Sequence, residues 1–370
     1  MSKRELDTKV DGVKSEPEVH IAKKRKKDKD REEQSSVIIS RPSLTNEDYT
    51  IGWICTTNTE LIAARAFLDE EHKGPGHQPP NNTSEYVLGT MGGHNVVIPI
   101  LPHGDNGKDS TTTAVAKMLH NFSNVRIGLM VGIGGGAPSE KHDIRLGDIV
   151  VSSPANGKGG VLQYDFGKTI QDERFHRTGF LNQPPTVLRA AITGLETDYE
   201  LYGYDLEANI QAVFEKFPRL RRNYSRPNAD TDRLYPSNSI HKDGVCCNDS
   251  TVGNQQIPIQ RVERSEHEDN TAIHYGLIAS TNQLMNDACL RDKLAAEDNV
   301  LCFEMEAAGL MNNFPCLVIR GICDYSDTHK NKAWQGFAAM SAAAYAKDLL
   351  RQIPPRRIEN AKKNQGNDKN

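Results

Sequence analysis

Between residues 49 and 353, short apolar runs alternate with longer stretches whose apolar positions recur every three to four residues. The runs Ile51–Cys55, Asn95–Ile100, Ile127–Val131, Asp148–Ser152, Ile273–Ala279 and Cys316–Ile322 predict strands, and the last of them reads as buried on both faces. The periodic stretches Thr59–Glu71, Ser110–Phe122, Thr186–Tyr199, Asn286–Asp298, Glu304–Asn312 and the Ala-rich Gly336–Arg351 predict helices. Such alternation belongs to a single α/β domain with a doubly wound or closed sheet.

The pattern fails in three places. Residues 1–48 are rich in Lys, Glu, Asp and Ser, have no period that could bury a face, and predict a disordered tail. Residues 354–370 predict a second, flexible tail. Residues 200–268, including LRRNYSRPNADTDRLYPSNS and RVERSEHEDN, break the rhythm and predict an insertion in the domain that spans 49–353.

Composition narrows the class. The net charge of −4 and the absence of any apolar run approaching the roughly 20 residues of a membrane span argue against a membrane protein, and the amino terminus lacks the apolar core of a signal peptide. An intracellular protein is expected. The basic run Lys23–Lys27 reads as a nuclear address, a nucleic-acid patch or, with acidic residues close by, a solvated tail; location is cytoplasmic or nuclear accordingly, and nucleic acid is not the expected partner. The seven cysteines show no Cys-x-x-Cys pair and no histidine at zinc spacing. Cys302, Cys316 and Cys323 read as small core residues, while Cys246-Cys247 falls in a polar loop.

Chemistry concentrates in Val300–Asp327, VLCFEMEAAGLMNNFPCLVIRGICDYSD, which sets Glu306 and Asp324 around a buried strand. Asp324 follows that strand and so lies at the carboxyl edge of the sheet, where open α/β folds bind ligands; its alternative role is to cap the next helix. The run Gly132-Ile133-Gly134-Gly135-Gly136 follows another strand and offers backbone amides to an anion. It is not a Walker loop, having no Gly-Lys-Ser/Thr, and Pro138 stands where a dinucleotide-binding helix would begin. The acidic residues are not clustered for a metal, so neither a metal nor an organic cofactor is expected.

The segment Phe303-Glu304-Met305-Glu306-Ala307-Ala308 followed by Arg320-Gly321-Ile322-Cys323-Asp324 resembles the purine nucleoside phosphorylase and methylthioadenosine nucleosidase superfamily. Three further segments agree in order: Thr50–Glu60, Val125–Gly136 and Arg145–Ser152. The whole stretch resembles the nucleosidase-type domain at the amino end of fungal NLR-like proteins. The resemblance implies a mixed central sheet, partly closed and flanked by helices, and N-ribosidic chemistry on a purine nucleoside or nucleotide. It further implies a homo-oligomer, a dimer or a hexamer, with no membrane partner.

Carried over residue by residue, the resemblance makes Asp324 the acid at purine N7, Glu306 the group that binds the ribose hydroxyls, and Glu60 the group that orients water. Taken alone, Glu60 reads more readily as a solvent-facing residue in the first turn of a helix. Phe303, Glu304, Met305, Ile133, Gly134 and Gly135 line the ribose side, and Leu284 and Met285 grip the base where the family has an aromatic residue. The positions that hold phosphate in the phosphorylases correspond to Met130 and Ile133, whose apolar side chains leave a phosphate dianion uncompensated. Hydrolysis is therefore expected over phosphorolysis, with a phosphorylase and a non-catalytic binding module as the alternatives. Adenosine or an adenine nucleotide is placed ahead of methylthioadenosine. Lys141, His142 and Arg145, with Arg219, Arg221, Arg222 and Arg226, are the candidate phosphate ligands, or else solvated faces.

Overall fold

The computed structural model describes residues 44–73, 84–104, 107–171, 175–240, 257–264 and 271–359. The chain divides after Leu44, and the fold below is that of the unit beginning at Thr45. Chain order gives β1 (Ile51–Ile54), α1 (Asn58–Ala66), β2 (Glu70–Glu71), β3 (Glu85–Met91), β4 (His94–Ile100), α2 (Lys108–Asn121), β5 (Ile127–Gly136), β6 (Ile149–Ser152), β7 (Val161–Gln163), β8 (Gly167–Lys168) and β9 (His176–Arg177). There follow α3 (Thr186–Tyr202), α4 (Leu206–Lys216), α5 (Arg221–Tyr224), β10 (Ile273–Ser280), α6 (Ala288–Asp298), β11 (Val300–Glu304), β12 (Cys316–Asp324), α7 (Gln335–Arg351) and α8 (Pro355–Glu359).

The central sheet is mixed and partly closed, as the resemblance implies. Its strands run β11-β10-β6-β12-β5-β1-β4-β3-β2, and β11 also pairs antiparallel with β5 through Cys302↔Gly136 and Phe303↔Gly135, so that β5, β12, β6, β10 and β11 form a ring. Beyond the ring, β1 and β4 extend the sheet in parallel, and β3 returns antiparallel to β4. Gly92 and Gly93, both with positive φ, make the two-residue turn between β3 and β4.

Helix α7 lies over β12 and β5 with thirteen of its residues buried. At Gly321 a Cβ would collide with the Ala338 carbonyl, so this strand and helix meet at a distance only glycine permits. The strand run Cys316–Ile319 is wholly buried on both faces.

Four elements differ from the sequence pattern. The glycine run is the continuation of β5 rather than a loop, because β12 and β11 pair with it as far as Gly135 and Gly136. Val300–Glu304 is a strand, and the expected helix Glu304–Asn312 is reduced to a 3₁₀ turn at Ala307–Gly309; pairing with β10 and β5 overrides the helix propensity of Glu-Met-Glu-Ala-Ala. Helix α1 stops at Ala66, and Glu70–Glu71 pairs with β3 instead. Within 200–268, α4 buries Leu206, Ile210, Val213 and Phe214 and packs against α7.

The domain also reaches further at both ends. Asn46–Asp48 is a capped 3₁₀ turn whose Asn46 amide donates to the Asn121 carbonyl, and α8 carries the buried Ile358. Lys23–Lys27 and Cys246-Cys247 lie outside the described residues. Cys302, Cys316 and Cys323 are free thiols buried in the core. No described helix is long and apolar enough to cross a membrane.

Candidate active site

Four segments converge at the carboxyl ends of β1, β5, β11 and β12, where they line a cavity of about 370 Å³. Thr56, Thr57 and Glu60 come from the turn after β1; Ile133, Gly134 and Gly135 from β5; Phe303 to Glu306 from the end of β11; Arg320, Cys323 and Asp324 from β12. Gln283, Leu284 and Met285 close one side, and Ser326, Lys330 and Gln335 another. The candidate catalytic and base- or ribose-binding residues read from the sequence are therefore brought to one cavity.

Glu60 is buried at 4% exposure, not facing solvent. It is the third helical residue behind Thr57, and the two form a reciprocal capping box. Its Oε2 accepts from the amides of Thr56 at 2.9 Å and Thr57 at 2.8 Å, while Oε1 accepts from the Ile133 amide at 2.8 Å. Glu60 also lines the cavity.

Arg320, 2% exposed, holds the acidic residues together. Its Nη2 lies 2.6 Å from Glu304 and 3.0 Å from Glu306, and its Nη1 lies 3.6 Å from Glu60. The Glu304 carboxylate also accepts from the amides of Glu306 and Ala307, so it is consumed in fastening the 3₁₀ turn and the guanidinium rather than presented to a ligand. Glu306 is different. Burial, opposed by Arg320 and reinforced by Glu304 and Glu60, pushes its carboxyl up to about 8.

The glycines of β5 make room for this cluster. A Cβ at Gly132 would stand 2.5 Å from Arg320 Nη1 and inside the Glu60 carboxylate, and one at Gly135 would stand 2.8 Å from Asp324 Oδ1. The run is thus a floor of close approach, not a phosphate-cradling loop.

Asp324 sits where the register of β12 against β5 shifts between Ile322 and Asp324. Such irregularities re-aim a side chain. Its Oδ1 accepts from the Ser326 amide and from Lys330 Nζ, both at 2.8 Å, leaving Oδ2 with only the Cys323 thiol at 3.5 Å. Ser326 holds φ +53°, a left-handed conformation that brings its amide onto Asp324.

Sequence reasoning passed over Arg320, Thr56, Thr57, Lys330 and Gln335. Arg320 carried a signal: a charged residue inside a doubly buried strand must find carboxylates. Of the basic residues put forward as phosphate ligands, none lines this cavity. Arg145 pairs with Asp143, Arg226 with Glu207, and Arg221 donates to Gln211. Phe303, 5% exposed and edge-on to Tyr164, supplies an aromatic wall, while Leu284 stands at the rim, 59% exposed. Among the described residues, no group of three or more His, Cys, Asp or Glu is placed to hold a metal ion.

No family model matches the chain. Over 321 residues, 87% of its length, it is 45% identical to a nucleotide-binding leucine-rich repeat (NLR)-like protein of Hyaloscypha variabilis, of which it spans 31%. Among solved structures it is similar to a protein of Borrelia burgdorferi described as a 5′-methylthioadenosine/S-adenosylhomocysteine nucleosidase, bound to adenine, with a TM-score of 0.52 and 16% identity over 82% of this chain and 100% of that one. It is likewise similar to the futalosine hydrolase of Helicobacter pylori, with a TM-score of 0.50 and 16% identity over 82% and 97%. The chain has the fold of these two proteins, as the resemblance read from its motifs implies.

Proposed function

We propose that the protein hydrolyses the N-ribosidic bond of a purine nucleoside or nucleotide, with adenine as the base, through Asp324, Glu306 and Glu60. The observation that carries this reading is the cluster of Glu60, Glu304 and Glu306 around Arg320 in the same cavity as Asp324. Glu60, Glu304 and Glu306 share the single guanidinium. A phosphate dianion entering there meets three acidic side chains and a guanidinium already occupied, whereas a water meets a carboxylate acceptor at Glu60. This favours hydrolysis over phosphorolysis.

The bond from C1′ to the base breaks with its electron pair passing to the purine, through an oxocarbenium-like transition state. Asp324 delivers a proton to N7 from Oδ2, the oxygen left uncommitted by Lys330 and Ser326, and a proton from solvent restores the acid after the base leaves. As positive charge grows on the sugar, Glu306 accepts from the ribose hydroxyls and turns its carboxyl oxygens toward the cation. Glu60 accepts the proton of the water that attacks C1′. Met305 and Phe303 supply apolar walls, and Gly134 and Gly135 let the ribose approach the sheet.

Thr56, Thr57 and Gln335 add polar groups to the lining, which favours a polar 5′ group, hence adenosine or an adenine nucleotide over methylthioadenosine. The 370 Å³ of the cavity falls in the range of about 300–1,000 Å³ usual for small-molecule sites. A homo-oligomer belongs to the same reading, and Phe166, Phe180 and Leu284 are exposed apolar side chains that such an assembly would cover.

Chromatography of products from adenosine, ATP and methylthioadenosine in phosphate-free buffer tests the proposal. Adenine released by the wild type and not by Glu306→Ala supports it. Release only after phosphate is added means a phosphorylase, and no release under either condition means a binding module.

A further inference from the structure

No described residue of the insertion at 200–268 lines the cavity, yet the insertion grips the residue next to Asp324. Asp232 follows the 3₁₀ turn Ala229–Thr231, and Arg261 lies on the extended arm 257–264. Arg261 Nη2 donates to the Tyr325 hydroxyl at 2.6 Å and to Asp232 Oδ2 at 3.0 Å, and the Tyr325 hydroxyl donates to Asp232 Oδ1. The arm is itself anchored: Arg261 Nη1 donates to the Ile144 carbonyl at 3.1 Å, and Arg264 pairs with both carboxylate oxygens of the fully buried Asp148. From the other side, Arg291 of α6, 3% exposed, donates to the Tyr325 carbonyl at 2.7 Å.

Tyr325 is thereby held by side chain and backbone, 3% exposed, with its ring outside the cavity. Its neighbours face inward. Asp324 lines the cavity, and Ser326 is kept in a left-handed conformation that puts its amide 2.8 Å from Asp324 Oδ1. A non-glycine residue stays in that conformation only where its surroundings impose it, and the imposed strain here sets the aim of the carboxylate.

We propose that Tyr325, clamped by Asp232 and Arg261, is a positioning residue that holds Asp324 in register with the leaving base, and that this is the part the insertion plays in the reaction. The inference rests on the reading of Asp324 as the acid. It makes the arm a component of the site although no atom of it reaches the substrate.

A clamp that acts through the acid matters only when the leaving group needs a proton. A purine does; 4-nitrophenolate leaves without one. The test compares kcat and KM of wild type, Tyr325→Phe and Asp232→Asn on adenosine and on 4-nitrophenyl riboside, with thermal melting of each. Misplacement of a catalytic group by about an ångström costs on the order of a hundredfold, so the expected loss in kcat on adenosine is on the order of tenfold or more, with turnover of the nitrophenyl riboside retained. The change in KM is expected to stay within about twofold. Asp232→Asn keeps the size of the side chain and is expected to act in the same direction if Tyr325→Phe folds poorly. Equal losses on both substrates, or unchanged kcat with a lowered melting temperature, overturn the clamp and leave a purely structural network. A wild type that releases no base overturns the reading of the site and the clamp with it, so the two failures are distinct.

Discussion

Replacing Arg320 by methionine removes the one cation shared by three acidic side chains. The guanidinium is 2% exposed and stands 2.6 Å from Glu304, 3.0 Å from Glu306 and 3.6 Å from Glu60. Unit charges 4 Å apart interact by about 4 kcal/mol at an effective dielectric constant of about 20. Much of that gain offsets desolvation, but breaking a buried pair by deleting one partner costs about 3–5 kcal/mol because the other is left uncompensated. Against a usual domain stability of about 5–15 kcal/mol, the variant keeps a fold with little in reserve. The sign with pH follows. Without Arg320 the carboxylates in the folded protein hold protons more tightly than in the unfolded chain, so the folded state binds the excess and stability falls as pH rises from the ordinary carboxylate range. Guanidinium denaturation of wild type and Arg320→Met at pH 5.5 and pH 8.5 reads the difference. The destabilisation is expected to be larger at pH 8.5. A loss of equal size at both pH values, or a variant as stable as the wild type, would refute the view that this cluster is held by charge balance.

Glu60→Gln retains an oxygen for the capping amides but no base for water, so kcat is expected to fall on the order of 10²–10⁴-fold with the fold intact by circular dichroism. Gly132→Ala drives a methyl into the Glu60 carboxylate and against Arg320, and its loss of turnover should exceed any effect of Gly194→Ala, whose Cβ meets nothing within 4 Å. With the Glu306 carboxyl pushed up to about 8 by burial, stability should fall as pH rises from the ordinary carboxylate range toward 8, and Glu306→Gln should remove that slope in denaturant titrations. If cleavage requires Glu306 ionised, kcat/KM of the wild type rises with pH and levels off above about 8, which initial-rate profiles would show.

The parts of the fold legible in the sequence are those whose period has one reading. The helices α2, α3 and α7 fall within a few residues of their expected bounds because their apolar spacing leaves no strand alternative. Val300–Glu304 was ambiguous by nature: a short apolar run ending in good helix formers takes its conformation from its partners, and here they are β10 and β5. The strand β3 announces itself mainly through the Gly92-Gly93 turn, a cue that strand periodicity alone passes over. The glycine run shows the same limit in reverse. Five residues with four glycines look like a loop in one dimension; in three they are a strand against which Arg320, Phe303 and Ser326 press too closely for any Cβ.

For the site, the residues proposed to meet a ligand stand in sequence motifs and those that hold them do not. Glu60, Glu306 and Asp324 stand in motifs whose order along the chain survives folding. Their supports come from elsewhere: Lys330 from the loop after β12, Asp232 and Arg261 from an insertion whose composition suggests only a polar excursion. A local pattern cannot report a contact between residues separated by 64 or 93 positions, as Arg261 and Asp232 are from Tyr325. This separation also carries a physical consequence. Because the aim of Asp324 depends on a distant arm fastened by Asp148 and Arg264, changes in that arm can alter turnover while every residue lining the cavity stays in place.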